Sequence, residues 1–339
     1  MTNPRGIPSA VRRIWEPSLY QGGRTRRRYF EGWYFKCVDV AEEHPVAVIP
    51  GVSFSADGRR TQAFVQLIRR GGDVHFFEFP AAAFTFARRP PFRIAVGPNV
   101  FTSAGMDLDL RDARGAVRGH VGFGPWDGWP VTSLSPGIMG WYRFVPRMEC
   151  YHGVLSLDHA LDGTLVIDDE RLDFAGGRGY VEKDWGRSFP SSWVWTQSNH
   201  FGRAGTSLTC SVARIPWVTG AFVGHIAGLL HDGRLFRFAT YTGARLVSLE
   251  TRPGGADIVL RDARRELELH ADGGATGDLK APVLGAMEGR VGESLGAMVR
   301  VRLREVRRGR PVVVYEGTGT CAGLEVVDDR GELVPDAAR

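Results

Sequence analysis

The chain has 339 residues, 43% hydrophobic and 24% charged, with a formal net charge of +5. That composition is globular rather than disordered, and the length suits two ordinary domains or one large β architecture. Basic residues are scattered among acidic ones instead of forming one stripe, which argues against nucleic acid as a partner.

A mildly basic surface also suits an anionic membrane face, so peripheral membrane contact stays open. The start, M-T-N-P-R-G-I-P, lacks a charged-then-apolar signal pattern. No run approaches the ~18 apolar residues that span a bilayer. A cytoplasmic location is therefore expected. Cys37, Cys150, Cys210 and Cys321 form no C-x-x-C pair and no H-x-H or H-E-x-x-H spacing occurs, so neither metal nor cofactor is expected.

In chain order, residues 1 to 28 read as an irregular segment rich in Pro and Arg, anchored by Trp15 and Tyr20. An aromatic strand follows over 29 to 40, in which Glu31, Trp33 and Phe35 share one face. V-A-V-I-P is a second strand, and A-D-G-R-R (56 to 60) a hairpin turn. T-Q-A-F-V-Q-L-I, H-F-F-E-F, F-R-I-A-V, D-L-D-L and H-V-G-F-G continue at a spacing typical of antiparallel barrels and sandwiches. Residues 124 to 150 break the rhythm with three tryptophans and four prolines, as a long loop over a pocket or a crossover packed on the body.

Strands resume with C-Y-H-G-V-L-S-L and T-L-V-I-D and lead to the densest motif, Gly176 to Phe201. The second half repeats short strands from T-S-L-T-C-S-V-A to the closing P-V-V-V-Y-E-G-T-G-T-C-A-G-L-E-V, with turns at 231 to 234 and 271 to 274. A-P-V-L-G-A-M-E-G-R-V-G (281 to 292) holds too much Gly for a helix. The fold class is all-β. Two antiparallel β-barrels are expected, at 29 to 175 and 176 to 339, meeting at the central motif.

Within that motif, strand alternation puts Glu182 and Asp184 on one face and Lys183 on the other. A carboxyl walled by Trp stays protonated at neutral pH and can donate to a double bond. Facing indoles then stabilise a carbocation. A Lys183 bent back onto a carboxylate would instead make a structural salt bridge pinning the crossing between barrels. Trp193, Trp195, Gln197 and Asn199 alternate onto one face with Phe201, as a ligand wall or as core aromatics with amides bonded to backbone. Glu31 is a second candidate acid. His152 and His200 read as satisfied interior histidines. Lys36, Lys183 and Lys280 are the only lysines among 43 basic residues, so Lys183 stands out against an arginine bias.

F-E-G-W-Y-F-K (30 to 36) and E-K-D-W-G-R-S-F-P-S-S-W-V-W-T-Q-S-N-H-F (182 to 201) resemble the signatures of the tocopherol cyclase family. The likeness extends weakly through G-L-L-H-D-G-R-L-F-R-F and A-P-V-L-G-A-M-E-G-R-V-G-E-S-L. Such enzymes protonate the prenyl double bond nearest the ring of a hydroquinone, and the phenol oxygen captures the cation to close a chromanol, without metal or redox cofactor. The family also resembles two-domain lipocalin-like proteins, among them carotenoid hydratases and pericyclic cyclases, which agrees with two barrels.

Glu31, Gly32 and Trp33 match the first motif. Glu182, Lys183, Trp185, Gly186, Phe189, Pro190, Trp193, Trp195, Gln197 and Asn199 match the second. Asp184, where the plant pattern has Asn, and His200 depart from it. The resemblance implies Glu182, Asp184 or Glu31 as acid. It implies Trp33, Lys183, Trp185, Trp193, Trp195, Gln197 and Asn199 around the substrate, the two amides holding quinol hydroxyls. The expected partner is a prenylated aromatic or polyprenyl small molecule. The rival readings are a hydratase trapping the same cation with water, and a non-catalytic lipocalin-like carrier.

Overall fold

The computed structural model describes residues 13–335 other than 24, 26 and 219. Among them only strands and short 3-10 turns occur, and no helix is long and apolar enough to cross a membrane.

The first half forms β1 (Tyr29–Val38), β2 (Val46–Phe54), β3 (Thr61–Arg69), β4 (Val74–Pro80), β5 (Phe84–Phe86) and β6 (Arg93–Val96). After these come β7 (Asn99–Thr102), β8 (Gly105–Arg111), β9 (Ala116–Phe123), β10 (Cys150–Ile167), β11 (Glu170–Asp173) and β12 (Arg178–Gly186). They make one 12-stranded antiparallel sheet in the order β4-β3-β2-β1-β12-β10-β9-β8-β7-β6-β5, with β11 on β10.

The second half forms β13 (Trp193–Ser198), β14 (Ser207–Trp217), β15 (Gly220–His231), β16 (Arg234–Ala239) and β17 (Arg245–Arg252). It closes with β18 (Gly255–Arg261), β19 (Arg265–Asp272), β20 (Gly277–Val283), β21 (Ala286–Arg307) and β22 (Arg310–Val327). Their 10-stranded sheet runs β16-β15-β14-β13-β22-β21-β19-β18-β17, with β20 on β21.

The all-β expectation holds, and each half is one curled antiparallel sheet around its own core. Hydrogen-bonded closure into a barrel is not seen: β4 and β5, the edges of the first sheet, do not pair with each other. Phe77 of β4 is nevertheless in the first core, with Phe84 of β5 packed against it. The expected division at 175/176 falls before β12, which belongs to the first sheet. The chain changes sheets between Gly186 and Trp193, where Pro190 cannot donate to a ladder. The two separate strands expected over 150 to 168 are one 18-residue β10, bent by irregularities between Val154 and His159.

Three apolar clusters organise the molecule. Trp33, Phe35, Val181 and Trp185 belong to the first core. Val194, Leu208 and Leu324 belong to the second. Tyr34, Tyr180, Trp193, Trp195 and Leu295 lie in a third, between the sheets. Strands β1, β12 and β13 are consequently buried on both faces, which for β1 explains a sequence with five aromatics in ten residues.

Trp15 and Tyr20 do anchor the N-terminal segment: Tyr20 is in the first core, and Trp15 packs edge-on against Phe144. Residues 1 to 12 of that segment lie outside the described residues. The 281 to 292 stretch is a hairpin of β20 and β21, and its glycines serve the tight approach of strands.

Candidate active site

Strand β12 decides the site. Tyr180, Glu182 and Asp184 point between the sheets, while Val181, Lys183 and Trp185 point into the first core. Register carries this face onto the neighbours: Tyr34 stands opposite Glu182, and His152 opposite Asp184. On the second sheet, Trp195 stands opposite Glu325, and Glu293 opposite Glu325 in turn. Glu182, Asp184, His152, Tyr34, Trp193, Trp195, Glu293 and Glu325 thus line one cavity. Most of its remaining wall is apolar, with Phe30, Ile49, Phe64, Phe189 and Phe222 among the lining residues, and Gln66, Ser211, His225, Thr240 and Lys280 add polar groups. The 124 to 150 segment contributes Met139, Tyr142 and Met148, so it both covers the cavity and packs Trp129 between the sheets.

Each acid has a distinct setting. Glu182 Oε2 accepts hydrogen bonds from the Tyr180 hydroxyl at 2.6 Å and from Trp195 Nε1 at 3.1 Å. Its carboxyl is pushed up to about 7, first by burial, with the His152 charge opposing. His152 Nδ1 lies 2.9 Å from Asp184, and Nε2 lies 3.7 Å from Glu182. Burial lowers the imidazole, but the charges of Asp184 and Glu182 outweigh it and raise His152 to about 9. The Tyr34 hydroxyl donates to Glu293 at 2.5 Å, and Trp193 Nε1 donates to Glu325 at 2.6 Å. Burial raises Glu293 to about 8, with the Tyr34 bond opposing and the Glu182 charge adding to it. Burial raises Glu325 as well.

Ligand-capable atoms of His152, Glu182 and Asp184 lie within 4.8 Å of one another, so this trio is where a cation could be held. As an imidazolium between two carboxyls, His152 offers no lone pair to a metal. Deprotonated, the trio would present one nitrogen and two carboxylates.

The predicted residues divide between two places. Glu182, Asp184, Trp193 and Trp195 line the cavity. Glu31, Trp33, Lys183 and Trp185 do not: they lie on the opposite face, in or against the first core. Lys183 Nζ is 2.6 Å from Glu31 with both side chains fully buried. The ammonium also donates to the Pro17 and Leu19 carbonyls and sits 4.6 and 4.9 Å from the Trp33 and Trp185 ring centres. Glu31 accepts from the Gln21 and Gly22 amides and the Tyr29 hydroxyl. A buried salt bridge of Lys183 therefore exists, but it pins residues 17 to 22 rather than the crossing between sheets.

Gln197 and Asn199 are not among the cavity-lining residues, and each engages the protein through one of its two amide atoms, leaving Gln197 Nε2 and Asn199 Oδ1 without a partner among the described residues. Lys36 Nζ donates to Gln197 Oε1 at 2.8 Å, while Asn199 Nδ2 donates to Asp158 and to the Gly179 carbonyl. His200 is interior as expected and held neutral by burial, which lowers it to about 3, but it is not the satisfied histidine expected, because its buried Nδ1 has no partner among the described residues. His152 is not held neutral, because two carboxyls face it.

Sequence reasoning missed Tyr34, His152, Glu293 and Glu325. Alternation along β1 would have found Tyr34, which occupies the face opposite Glu31 and Trp33. Glu293 and Glu325 sit 92 and 124 residues beyond Phe201, where the motif ends, and only register brings them to it.

A model of the family described as tocopherol cyclase-like matches residues 106–327. A probable chloroplastic tocopherol cyclase of Oryza sativa subsp. japonica is 26% identical over 373 aligned positions, covering 91% of this chain and 77% of that protein. The chloroplastic tocopherol cyclase of Zea mays is 28% identical over 124 positions, 35% of this chain and 26% of that one. Among solved structures, CghA aligns at a TM-score of 0.54 with 12% identity, over 88% of both chains. Kievitone hydratase from Nectria haematococca aligns at 0.51 with 10% identity, also over 88% of both. At such identities these two structures speak for the fold alone.

Proposed function

Because the chain belongs to the tocopherol cyclase-like family, we propose that it is a cyclase that closes a chromanol-type ring on a prenylated hydroquinone or related polyprenyl phenol. The observation that carries this reading is a buried carboxyl, Glu182, pushed up to about 7 in a cavity whose wall is otherwise mostly apolar and includes two indoles. Near neutral pH this group keeps its proton in a substantial fraction of molecules and has little solvent to compete for it.

The prenyl tail lies along the apolar wall with its ring-proximal double bond at Glu182. The Glu182 proton goes to the CH carbon of that bond, and the adjacent carbon becomes a tertiary cation. Trp193 and Trp195 offer negative π faces to it. The phenol oxygen then bonds to the cationic carbon and loses its proton. One C–H and one C–O bond form, one π bond and one O–H bond are lost, and substrate and product are isomers. The imidazolium of His152, 3.7 Å from Glu182, steadies the carboxylate left behind and can return a proton to it.

The test is incubation with geranylgeranyl- or phytyl-hydroquinone in D2O, followed by mass spectrometry. A chromanol with one deuterium on carbon is expected. A product heavier by one water identifies a hydratase, and unchanged substrate that co-purifies with the protein identifies a carrier. Either result overturns cyclisation of that substrate.

A lipid-soluble substrate also suggests peripheral membrane contact. Trp141 and Trp217 are partly exposed beside pocket-lining Tyr142, and Leu134 and Val218 are largely exposed. Flotation with anionic phospholipid vesicles that weakens on replacing Trp141 and Trp217 with Ala would support it.

A further inference from the structure

Ring closure moves two protons. The alkene CH carbon receives one while the phenol oxygen, two bonds away from that carbon in the closed ring, gives one up. A second group at the oxygen would spare Glu182 from handling both. The cavity holds a second set of acids on its other wall. Glu293 is almost fully buried, comes from β21 of the second sheet, and faces Glu182 of the first across the space between them. Its one side-chain hydrogen bond among the described residues is from Tyr34.

We propose that Glu293, held in place by Tyr34, forms the phenol-binding end of the cavity: its carboxylate accepts the substrate hydroxyl and takes that hydroxyl's proton as the oxygen bonds to carbon. The inference rests on the reading of the cavity as a site for a prenylated phenol, and it adds the residue that the family motifs did not supply.

The two acids are electrostatically linked: burial is the main cause that raises Glu293, the Glu182 charge adds to it, and a proton on Glu182 therefore favours ionisation of Glu293. The charged and titratable groups around them are Tyr34, Lys36, Cys150, His152, Tyr180 and Asp184 on the first sheet, and His225, Lys280 and Glu325 on the second. Lys36 and Tyr34 both favour an ionised Glu293. The reactive form has Glu182 protonated and Glu293 ionised; it is the minority arrangement near neutral pH, because burial raises Glu293 to about 8, above the value of about 7 for Glu182. After ring closure Glu182 has lost a proton and Glu293 has gained one, so the charge of the cavity is unchanged. Proton exchange between them resets the site.

A structural role is the competing account, with the Tyr34–Glu293 bond simply joining the sheets. Glu293→Gln separates the two, because an amide oxygen still accepts from Tyr34 but cannot serve as the base. Binding is read by tryptophan fluorescence quenching with geranylgeranyl-hydroquinone and with its dimethyl ether, and turnover by chromanol formation. Wild type is expected to bind the hydroquinone about tenfold or more tighter than the ether, as for a hydrogen bond to a charged group. In Glu293→Gln the two ligands should bind within about threefold, and kcat should fall about a hundredfold or more with a smaller change in KM. Tyr34→Phe should weaken the preference partially. If wild type binds both ligands alike, or Glu293→Gln keeps the preference and the turnover, the inference is overturned. If neither ligand quenches wild type, the cavity reading itself fails and takes the inference with it.

Discussion

Glu31 and Glu182 are both buried glutamates on neighbouring central strands, and both lie in the motifs that announce the family. Their surroundings differ in kind. Glu31 has an ammonium at 2.6 Å, two backbone amides and a phenol. Glu182 has a phenol, an indole and a histidine already committed to Asp184. The first set neutralises a charge and ties down a segment of chain. The second leaves a proton that can be given away. Burial alone does not leave a carboxyl protonated near neutral pH; burial without a dedicated cation does.

The sharpest way to break this contrast is to remove each carboxylate charge in turn. Glu182→Gln should lower turnover about 10²- to 10⁴-fold, the usual worth of a general acid, with the fold and ligand binding retained. Full turnover in that variant would transfer the role to another acid of the cavity. Lys183→Met should leave Glu31 buried without its cation and cost about 3–5 kcal/mol in urea unfolding. A double change of Lys183→Met with Glu31→Gln should recover part of that loss. Cyclase activity that vanished in a folded Lys183→Met protein would instead put Lys183 in the chemistry.

Titration separates the two glutamates more gently. Glu182 keeps its proton in the folded state up to about 7, whereas an unfolded Glu ionises near ~4.3. The native state therefore binds more protons in between, and stability falls as pH rises through that window. His152, raised to about 9, stabilises fully below its unfolded value, and this contribution fades as pH rises toward 9. The melting temperature of Glu182→Gln relative to wild type should accordingly be higher at pH 8 than at pH 5. Turnover of wild type should decline at alkaline pH, as Glu182 loses its proton. A smaller steric effect is expected from Gly32→Val: a Cβ there meets nothing closer than 3.8 Å, so the protein should fold while the branch narrows the cavity and raises KM. Smallest of all, incubation with a chelator should leave turnover unchanged, and loss of activity restored by a divalent cation would make the His152, Glu182 and Asp184 trio a metal site.

Much of this contrast is legible in the sequence. Alternation alone separates Glu182 and Asp184 from Lys183, and the run of tryptophans marks strands buried on both sides. The part that is not legible concerns partners. A period of two says that Glu31 and Glu182 each have a face, but not that β1 and β12 pair in a register that sends those faces to opposite sides. The same pattern made Gln197 and Asn199 look like ligand contacts, although Lys36 and Asp158 engage them. Glu293 lay in view within G-R-V-G-E-S-L, where flanking glycines hide the strand and nothing local signals a buried acid.

The bond from Tyr34 to Glu293 spans 259 positions, and it has a temporal consequence. A chain leaving the ribosome can complete the first sheet once β12 is made, yet its cavity then has only one wall. The second wall needs β21 and β22, near the end of synthesis, and contacts so distant in sequence are slow to form. In refolding from denaturant, β-structure should return before turnover does, and the interval between the two signals is the time the sheets take to find each other.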